Sequence, residues 1–483
     1  MSEIYRNFIA GEWATSNNAI DNINPSDISD VIGQYAQASA AQLQETIEAA
    51  KQAQKEWQAT SLEKRQAVLN KIGEEMMARS AELGELLARE EGKPRAEGVG
   101  EVYRAGQFFT YYAAEVLRQI GENADSVRDG VEVDIRREPM GLVGVISPWN
   151  FPTATASWKI APALAYGNAV IWKPANLTPA SAWALTEIIS RQDIPKRLFS
   201  LVMGSGAEIG QNLIEHPEIN AISFTGSYQV GKTIARASAE NFTKFQLELG
   251  SKNALLVMDD ADLDIAIPAA AGGAFGGTGQ KCTASSRLIV HESIHDQFVE
   301  RMLEATKAFK VGHALTEGTQ LGPVASEAQL NANLDYMKLA AEEGCEIAYG
   351  GERLNLEHDG FYMSPALLLG GNNQMRVNRE EMFAPATCVI KVGSYEEGLA
   401  TVNDTDYGLT AGIITQSLAK ATHFRRHAET GCVMVNLPTA GTDYHVPFGG
   451  RKNSSYGSRE QGKYAEEFYT QVKTSYIFSG SPF

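Results

Sequence analysis

The 483-residue chain predicts an α/β fold, two doubly wound parallel-sheet domains with a β arm, and three observations carry that reading. First, residues 40–118 place apolar side chains three and four apart (Leu43, Ile47, Ala50, Ala53, Trp57) among abundant Ala, Glu and Lys, the pattern of helices with one buried face. Second, short apolar runs at 142–146, 169–172, 198–202, 221–224 and 245–249 alternate with helix-like stretches. Strands buried on both faces need helices between them, so this alternation is that of a parallel sheet. Third, the same alternation returns at 254–257, 287–290, 387–390 and 431–435, enough for a second sheet. Segments 131–136 and 469–477 alternate apolar and polar residues as exposed strands do, and are read as an arm suited to a subunit contact.

Composition narrows the class of function. With 43% hydrophobic and 21% charged residues, 44 Gly and 17 Pro, the chain is ordinary globular protein rather than disordered or fibrous. A balance of 42 Lys+Arg against 59 Asp+Glu gives −17, a field that repels phosphate backbones and argues against a nucleic-acid partner. No run is long and apolar enough to span a bilayer, and residues 1–13 lack the basic and apolar parts of a signal peptide, so no membrane association and a cytoplasmic location are expected. The four cysteines, at 282, 345, 388 and 432, are too few and scattered for a disulfide framework or a zinc ribbon. None of the eight histidines has metal-ligand spacing; His423 and His427 read as a solvated helix surface, and no metal is expected.

Four motifs carry chemistry. Gly204-Ser-Gly-Ala-Glu-Ile-Gly210 follows a predicted strand, but its last gap is too long for a dinucleotide fingerprint, and a plain glycine turn accounts for it equally well. Ser223-Phe-Thr-Gly226-Ser227, with Gly231 following, is better placed: a strand ends, a glycine permits a tight turn, and a helix begins whose free amides can hold a pyrophosphate. Cys282 lies in Gly276-Gly-Thr-Gly-Gln-Lys-Cys-Thr-Ala-Ser-Ser-Arg287, where small residues admit a ligand and Lys281 and Arg287 are expected to favour the thiolate. Cys345, Cys388 and Cys432 sit in helix-like or apolar strand surroundings and read as structural. Glu248, in Gln-Leu-Glu248-Leu-Gly250, is a lone carboxylate in an apolar strand; desolvation would raise its pKa and suit it to general-base work, unless the position is simply exposed.

Together these pieces resemble the aldehyde dehydrogenase superfamily over nearly the whole chain. The matching stretches, in the family's order, are Pro148-Trp-Asn150-Phe-Pro152, Trp172-Lys173-Pro-Ala175, Phe224-Thr-Gly-Ser227, Glu248-Leu-Gly250, Gly279-Gln-Lys-Cys282, Glu381-Met-Phe383 and Pro447-Phe-Gly-Gly450. The 34-residue interval from Glu248 to Cys282 is the family's as well. The resemblance implies a Rossmann-like cofactor domain (1–119 with 140–250), a Rossmann-like catalytic domain (251–448) and a β oligomerisation arm with the C-terminal segment (120–139, 449–483), in a homodimer or homotetramer.

The resemblance also implies roles. Cys282 would attack the aldehyde to form a thiohemiacetal, with Asn150 and the Cys282 N–H as oxyanion hole; hydride loss to NAD or NADP leaves a thioester that water activated by Glu248 hydrolyses. Trp149, Lys173, Asn176, Gly226, Ser227, Gly231, Leu249, Glu381 and Phe383 are the implied cofactor residues. Thr155, Trp158, Lys281, Thr283, Arg287 and Thr439 are the implied substrate pocket. Glu248 argues for hydrolysis over transfer to coenzyme A, and neutral Asn176, where many NAD-preferring members carry a glutamate, suggests that NADP is accepted alongside NAD. Succinate-semialdehyde dehydrogenases carry arginines where this chain has Trp158 and Gly276. The stretches around Cys282 and Ser458-Arg-Glu-Gln-Gly462 nevertheless look most like 2,5-dioxopentanoate (α-ketoglutaric semialdehyde) dehydrogenases of sugar-acid catabolism. The missing anchors favour a small neutral sugar aldehyde such as 3,6-anhydrogalactose, with the dioxo acid as the alternative and a non-catalytic protein on this fold as the reading from another class.

Overall fold

A computed structural model describes residues 4–16 and 18–480. The helical region resolves into Ala40–Gln58, Leu62–Ala78, Ser80–Glu91 and Arg95–Val116. Ser39 opens the first with a reciprocal cap to Gln42, and Leu43, Ile47, Ala50, Ala53 and Trp57 all fall on its buried face, as their spacing requires. Trp57 then ties the helix to helix Ala154–Ala165 by donating to the Leu164 carbonyl at 2.8 Å.

The larger sheet has eight strands. Its parallel centre runs Lys244–Glu248, Ala221–Thr225, Leu142–Ile146, Ala169–Lys173, Phe199–Leu201, and antiparallel Ser455–Tyr456 and Asn7–Ile9 flank it, with Glu12–Ala14 outermost. The first central strand in the chain, Leu142–Ile146, thus lies between the second and the fourth. Such a reversal of strand order opens a crevice at the carboxyl ends of the two strands beside it. The second sheet orders Glu346–Tyr349, Ala366–Leu369, Ala386–Val392, Arg287–His291, Ala254–Val257, Thr410–Ile414, Cys432–Val435, parallel except at the first pair. Thr470–Phe478 pairs antiparallel with Val131–Pro139 along nine residues, and Glu122–Asp125 completes that sheet.

Several strands lie outside the pattern read from the sequence. Ile4–Tyr5, Ala19–Asn24 and Asp27–Ala36 form a three-stranded sheet in which Asp, Asn, Ser, Gln and Gly interrupt the apolar residues, so no continuous apolar run marks it. Thr410–Ile414 is buried throughout yet holds Gly412, whose Cβ would stand 2.7 Å from Leu255 Cδ1; a glycine that close packing requires is also what hides the strand. The described part of the segment predicted as arm, 449–480, is not an arm alone, because Ser455–Tyr456 pairs with the edge of the larger sheet. Among the described residues no helix is long and apolar enough to cross a membrane, and no group of three or more His, Cys, Asp or Glu is arranged to hold a metal.

Candidate active site

The three strands at the crevice end in the motifs singled out above. Leu142–Ile146 runs into Trp149 and Asn150, Ala221–Thr225 into Gly226 and Ser227, and Lys244–Glu248 terminates on Glu248 itself. All five line one cavity of about 370 Å³, together with Thr155, Trp158, Leu249, Cys282, Glu381 and Phe383. The second sheet contributes Cys282 from the turn before Arg287–His291. That turn needs glycine: Gly279 has φ +66°, and a Cβ there would stand 2.0 Å from the Ala384 carbonyl oxygen.

Glu248 is 3% exposed. Ser455, its cross-strand partner, donates to Oε2 at 2.6 Å, and Gly449 leaves room for Oε1, since a Cβ there would approach it to 2.7 Å. Burial, reinforced by nearby Glu460, raises its pKa well above the ordinary carboxylate range, against the Ser455 hydrogen bond and the charges of Lys159 and Arg459. Behind it Lys159 and Glu460 form a fully buried ion pair, and Lys159 Nζ also donates to Ser223 Oγ at 3.0 Å.

Burial pushes the Cys282 thiol up to about 12, with Glu381 and Glu248 adding to the shift. The expected thiolate stabilisation by Lys281 and Arg287 is therefore corrected. Arg287 is 1% exposed and spends its guanidinium on the carbonyls of Lys252, Thr401 and Val402 and on Asn373, so it is a structural clamp rather than a pocket residue. Lys281 Nζ donates to the Gly272 carbonyl at 3.3 Å, feels Glu97 as its strongest charge, and does not line the cavity. Thr439 is also outside: its hydroxyl donates to the Thr283 carbonyl at 2.7 Å and meets Ser285 Oγ, bracing the loop that carries Cys282. Thr283 beside Cys282 is half-buried and takes part in that brace through its backbone.

Asn150 is clamped from both sides. Its Nδ2 donates to the Gln280 carbonyl at 2.9 Å, and its own carbonyl accepts from Lys93 Nζ at 2.6 Å. Lys93 is paired with Glu101 at 2.6 Å and lies 4.1 Å from the centroid of Phe151. The other Glu101 oxygen accepts from the Thr153 and Ala154 N–H groups at 3.0 and 3.1 Å. A buried ion pair thereby fixes residues 150–154 at several points, a device with no signature in the sequence motifs.

Ser227, Glu381 and Phe383 line the cavity beside these groups, and Lys173 ends the neighbouring strand Ala169–Lys173. Ser227 caps helix Tyr228–Asn241 by accepting from Val230 N–H, and Gly231 lies so close to Leu249 that a Cβ would stand 2.7 Å from Leu249 Cδ2. Glu381 accepts from Ser251 N–H at 2.8 Å; burial raises its pKa to about 7, and a Cβ on Gly250 would collide with its carboxyl at 2.1 Å. Phe383 takes φ +58° and meets Trp149 edge-on at 5.5 Å, with Ala384 buried beside it. Lys173 is buried, donates from Nζ to the Pro174 carbonyl at 3.1 Å and to no other group among the described residues, and has its pKa lowered to about 8 by burial. A buried ammonium with spare donors, a capped helix N-terminus and an acceptor carboxyl suit a ligand that bears hydroxyls and phosphates. Exposed Asn176 lies in the turn beyond Lys173, and Gly210, at the end of the helical turn Gly206–Gly210, faces the Lys173 side chain. Gln329 and Tyr336, from helix Glu327–Glu342, also line the cavity and went unread, because they sit on an ordinary amphipathic helix.

A crevice at the switch point of a doubly wound sheet, with a thiol, a carboxyl and a carboxamide converging on it from different strand ends, defines an α/β enzyme built for covalent chemistry. Sequence comparison makes this specific: the aldehyde dehydrogenase family profile matches residues 13–475, and the chain belongs to that family. It is 39% identical to the α-ketoglutaric semialdehyde dehydrogenase of Bacillus subtilis, over 98% of each chain. It is 37% identical to the 2,5-dioxopentanoate dehydrogenase of Saccharolobus solfataricus, over 94% of this chain and 95% of that one. Among solved structures, betaine aldehyde dehydrogenase of Staphylococcus aureus in complex with NAD+ superposes with a TM-score of 0.96 at 32% identity, covering 99% and 95% of the two chains. A 3,6-anhydro-L-galactose dehydrogenase in complex with NADP superposes at 0.95 with 33% identity, covering 98% and 100%.

Proposed function

We propose that this chain oxidises a short aldehyde to its carboxylate with NAD+ or NADP+, through a thioester on Cys282. The observation that carries the chemistry is that Cys282, Glu248 and Asn150 line one cavity. Burial holds the proton on the Cys282 thiol, and that proton passes to water as sulfur attacks the carbonyl carbon, which leaves Glu248 unprotonated for the later hydrolysis. Asn150 retains one amide N–H beyond the one given to Gln280, and together with the Cys282 N–H it stabilises the developing alkoxide. A bound nicotinamide supplies the two-electron acceptor that turns thiohemiacetal into thioester. Glu248 then takes a proton from water as the water oxygen attacks the thioester carbon; the carbon–sulfur bond breaks, Glu248 returns its proton to the Cys282 sulfur, and the product leaves as carboxylate with its acid proton given to solvent. Lys173 and Asn176 are assigned to the adenosine side of the cofactor, Gly226, Ser227, Gly231 and Leu249 to the pyrophosphate, and Trp149, Glu381 and Phe383 to the nicotinamide side.

The substrate best supported is 2,5-dioxopentanoate, because the curated relatives at 36–39% identity bear that activity in their names. A neutral anhydro-sugar aldehyde is the second reading, favoured by a cavity wall of Phe151, Trp158, Phe448 and the Thr155 hydroxyl without a cation. The test is kcat/KM for 2,5-dioxopentanoate against 3,6-anhydrogalactose with both cofactors. The first reading expects the dioxo acid to win; a preference for the sugar by tenfold or more reverses it. We further propose a cytoplasmic homodimer or homotetramer, with 1–119 and 140–250 as cofactor domain, 251–448 as catalytic domain and 120–139 with 449–483 as the arm segment. The exposed Val472, Tyr476, Ile477 and Phe478 on the arm strand support an interface there.

A further inference from the structure

The cavity that holds Cys282 has no lysine or arginine among the described residues lining it, so a carboxylate on the substrate would have to be met farther out. The aromatic wall leads outward. Trp158 lies 5.7 Å from Phe448 and 5.8 Å from Phe108, ring centre to ring centre; Phe108 lies 6.4 Å from Tyr444, which is also 6.0 Å from Tyr111. At the outer end the Arg104 guanidinium lies over the Tyr444 ring, 5.3 Å from its centre. Arg104, Phe108 and Tyr111 are spaced four and three apart on helix Arg95–Val116 and share one face.

Nearby cations are committed elsewhere, except exposed Lys463, whose backbone meets Tyr111 and whose ammonium lies 5.8 Å from the centre of the Tyr464 ring. Lys93 is paired with Glu101, Arg95 with Glu85 and Arg118 with Glu115, while Arg287 and Lys281 donate as described above. Half-buried Arg104 is different: among the described residues no carboxylate stands within ion-pair distance of it. A guanidinium laid on an aromatic face is held in place while its edge N–H groups stay free for a planar, bidentate acceptor.

We infer that Arg104 is the anchor for the substrate's distal carboxylate, so that the substrate class is a short ω-oxo acid whose chain runs along the aromatic wall with its aldehyde at Cys282. The inference rests on the dioxo-acid reading and deepens it by naming the residue that selects the anion. It replaces the arginines absent at Trp158 and Gly276 with one on another element.

The experiment compares kcat/KM for 2,5-dioxopentanoate and for pentanal in wild type, Arg104→Gln, Arg104→Lys and Lys281→Met. A charge-assisted pair of this kind predicts that Arg104→Gln lowers the dioxo-acid to pentanal ratio by about 10- to 100-fold, mainly through KM for the acid, with Arg104→Lys intermediate and Lys281→Met close to wild type. Pentanal turnover reports that each variant is folded. An unmoved ratio in Arg104→Gln, or a ratio that falls in Lys281→Met instead, overturns the anchor while leaving the dioxo-acid reading in place. A wild-type enzyme that oxidises pentanal but not the dioxo acid overturns that reading, and the anchor with it.

Discussion

Ser455→Ala isolates the group assigned to thioester hydrolysis. The Ser455 hydroxyl donates to Glu248 Oε2 at 2.6 Å, within the short range of hydrogen bonds to ionised oxygen. It favours the carboxylate over the carboxylic acid, opposing the burial that raises the Glu248 pKa. A hydrogen bond to a charged group contributes about 1.5–3 kcal/mol. At 1.36 kcal/mol per pKa unit, deleting it raises the Glu248 pKa by a further ~1–2 units. Hydrolysis requires the ionised form, so the rate rises with pH, and the midpoint of that rise must move to higher pH by the same amount. The assay is stopped-flow reduction of cofactor from pH 6 to 10: the fast phase reports acylation, and the steady state after it reports hydrolysis. The expected variant shows a displaced steady-state limb and accumulates acyl-enzyme across a wider pH range. A midpoint that stays within about 0.3 units of wild type would refute the assignment of Glu248, since a base that has lost a 2.6 Å donor cannot keep its proton affinity.

Other expectations follow from the packing around the cavity. Gly449→Ala places a Cβ 2.7 Å from Glu248 Oε1 and 2.9 Å from the Arg459 side chain, so the carboxylate must shift; steady-state turnover should fall at least ~10-fold with the initial burst retained, as rapid-quench kinetics would reveal. Lys93→Met leaves the Glu101 carboxylate and the Asn150 carbonyl without their buried cation and should cost about 3–5 kcal/mol in denaturant unfolding. The same variant should slow the burst itself, because residues 150–154 lose their clamp; an unchanged burst would show that Asn150 is positioned without Lys93. Lys173→Met should raise KM for the cofactor more than it lowers kcat, and equal losses in both would contradict its assignment to binding.

How much was readable in advance follows from what each signal depends on. The central strands showed because burial on both faces forces continuous apolar runs, and Glu248 stood out because a carboxyl breaks such a run. Cys282 showed through its glycines, one of which, Gly279, the approach of Ala384 requires. The errors concern direction. Lys281 and Arg287 neighbour Cys282 along the chain, yet Arg287 opens a strand and its side chain turns to the carbonyls of residues 252, 401 and 402. Local sequence cannot report that, because the partners lie far away along the chain. For the same reason the Lys93–Glu101 clamp and the placing of Gln329 and Tyr336 emerged only from tertiary packing.

The central claim is covalent capture of the aldehyde by Cys282 with hydrolysis through Glu248, and trapping the intermediate tests it most directly. Glu248→Gln enzyme is mixed with cofactor and aldehyde, and intact-mass and peptide spectra are recorded beside the yield of reduced cofactor. The account predicts one acyl group per active site, on the peptide containing Cys282, formed in step with one equivalent of reduced cofactor and lost only slowly. Stoichiometric cofactor reduction with no adduct, or with the adduct on another residue, would contradict it.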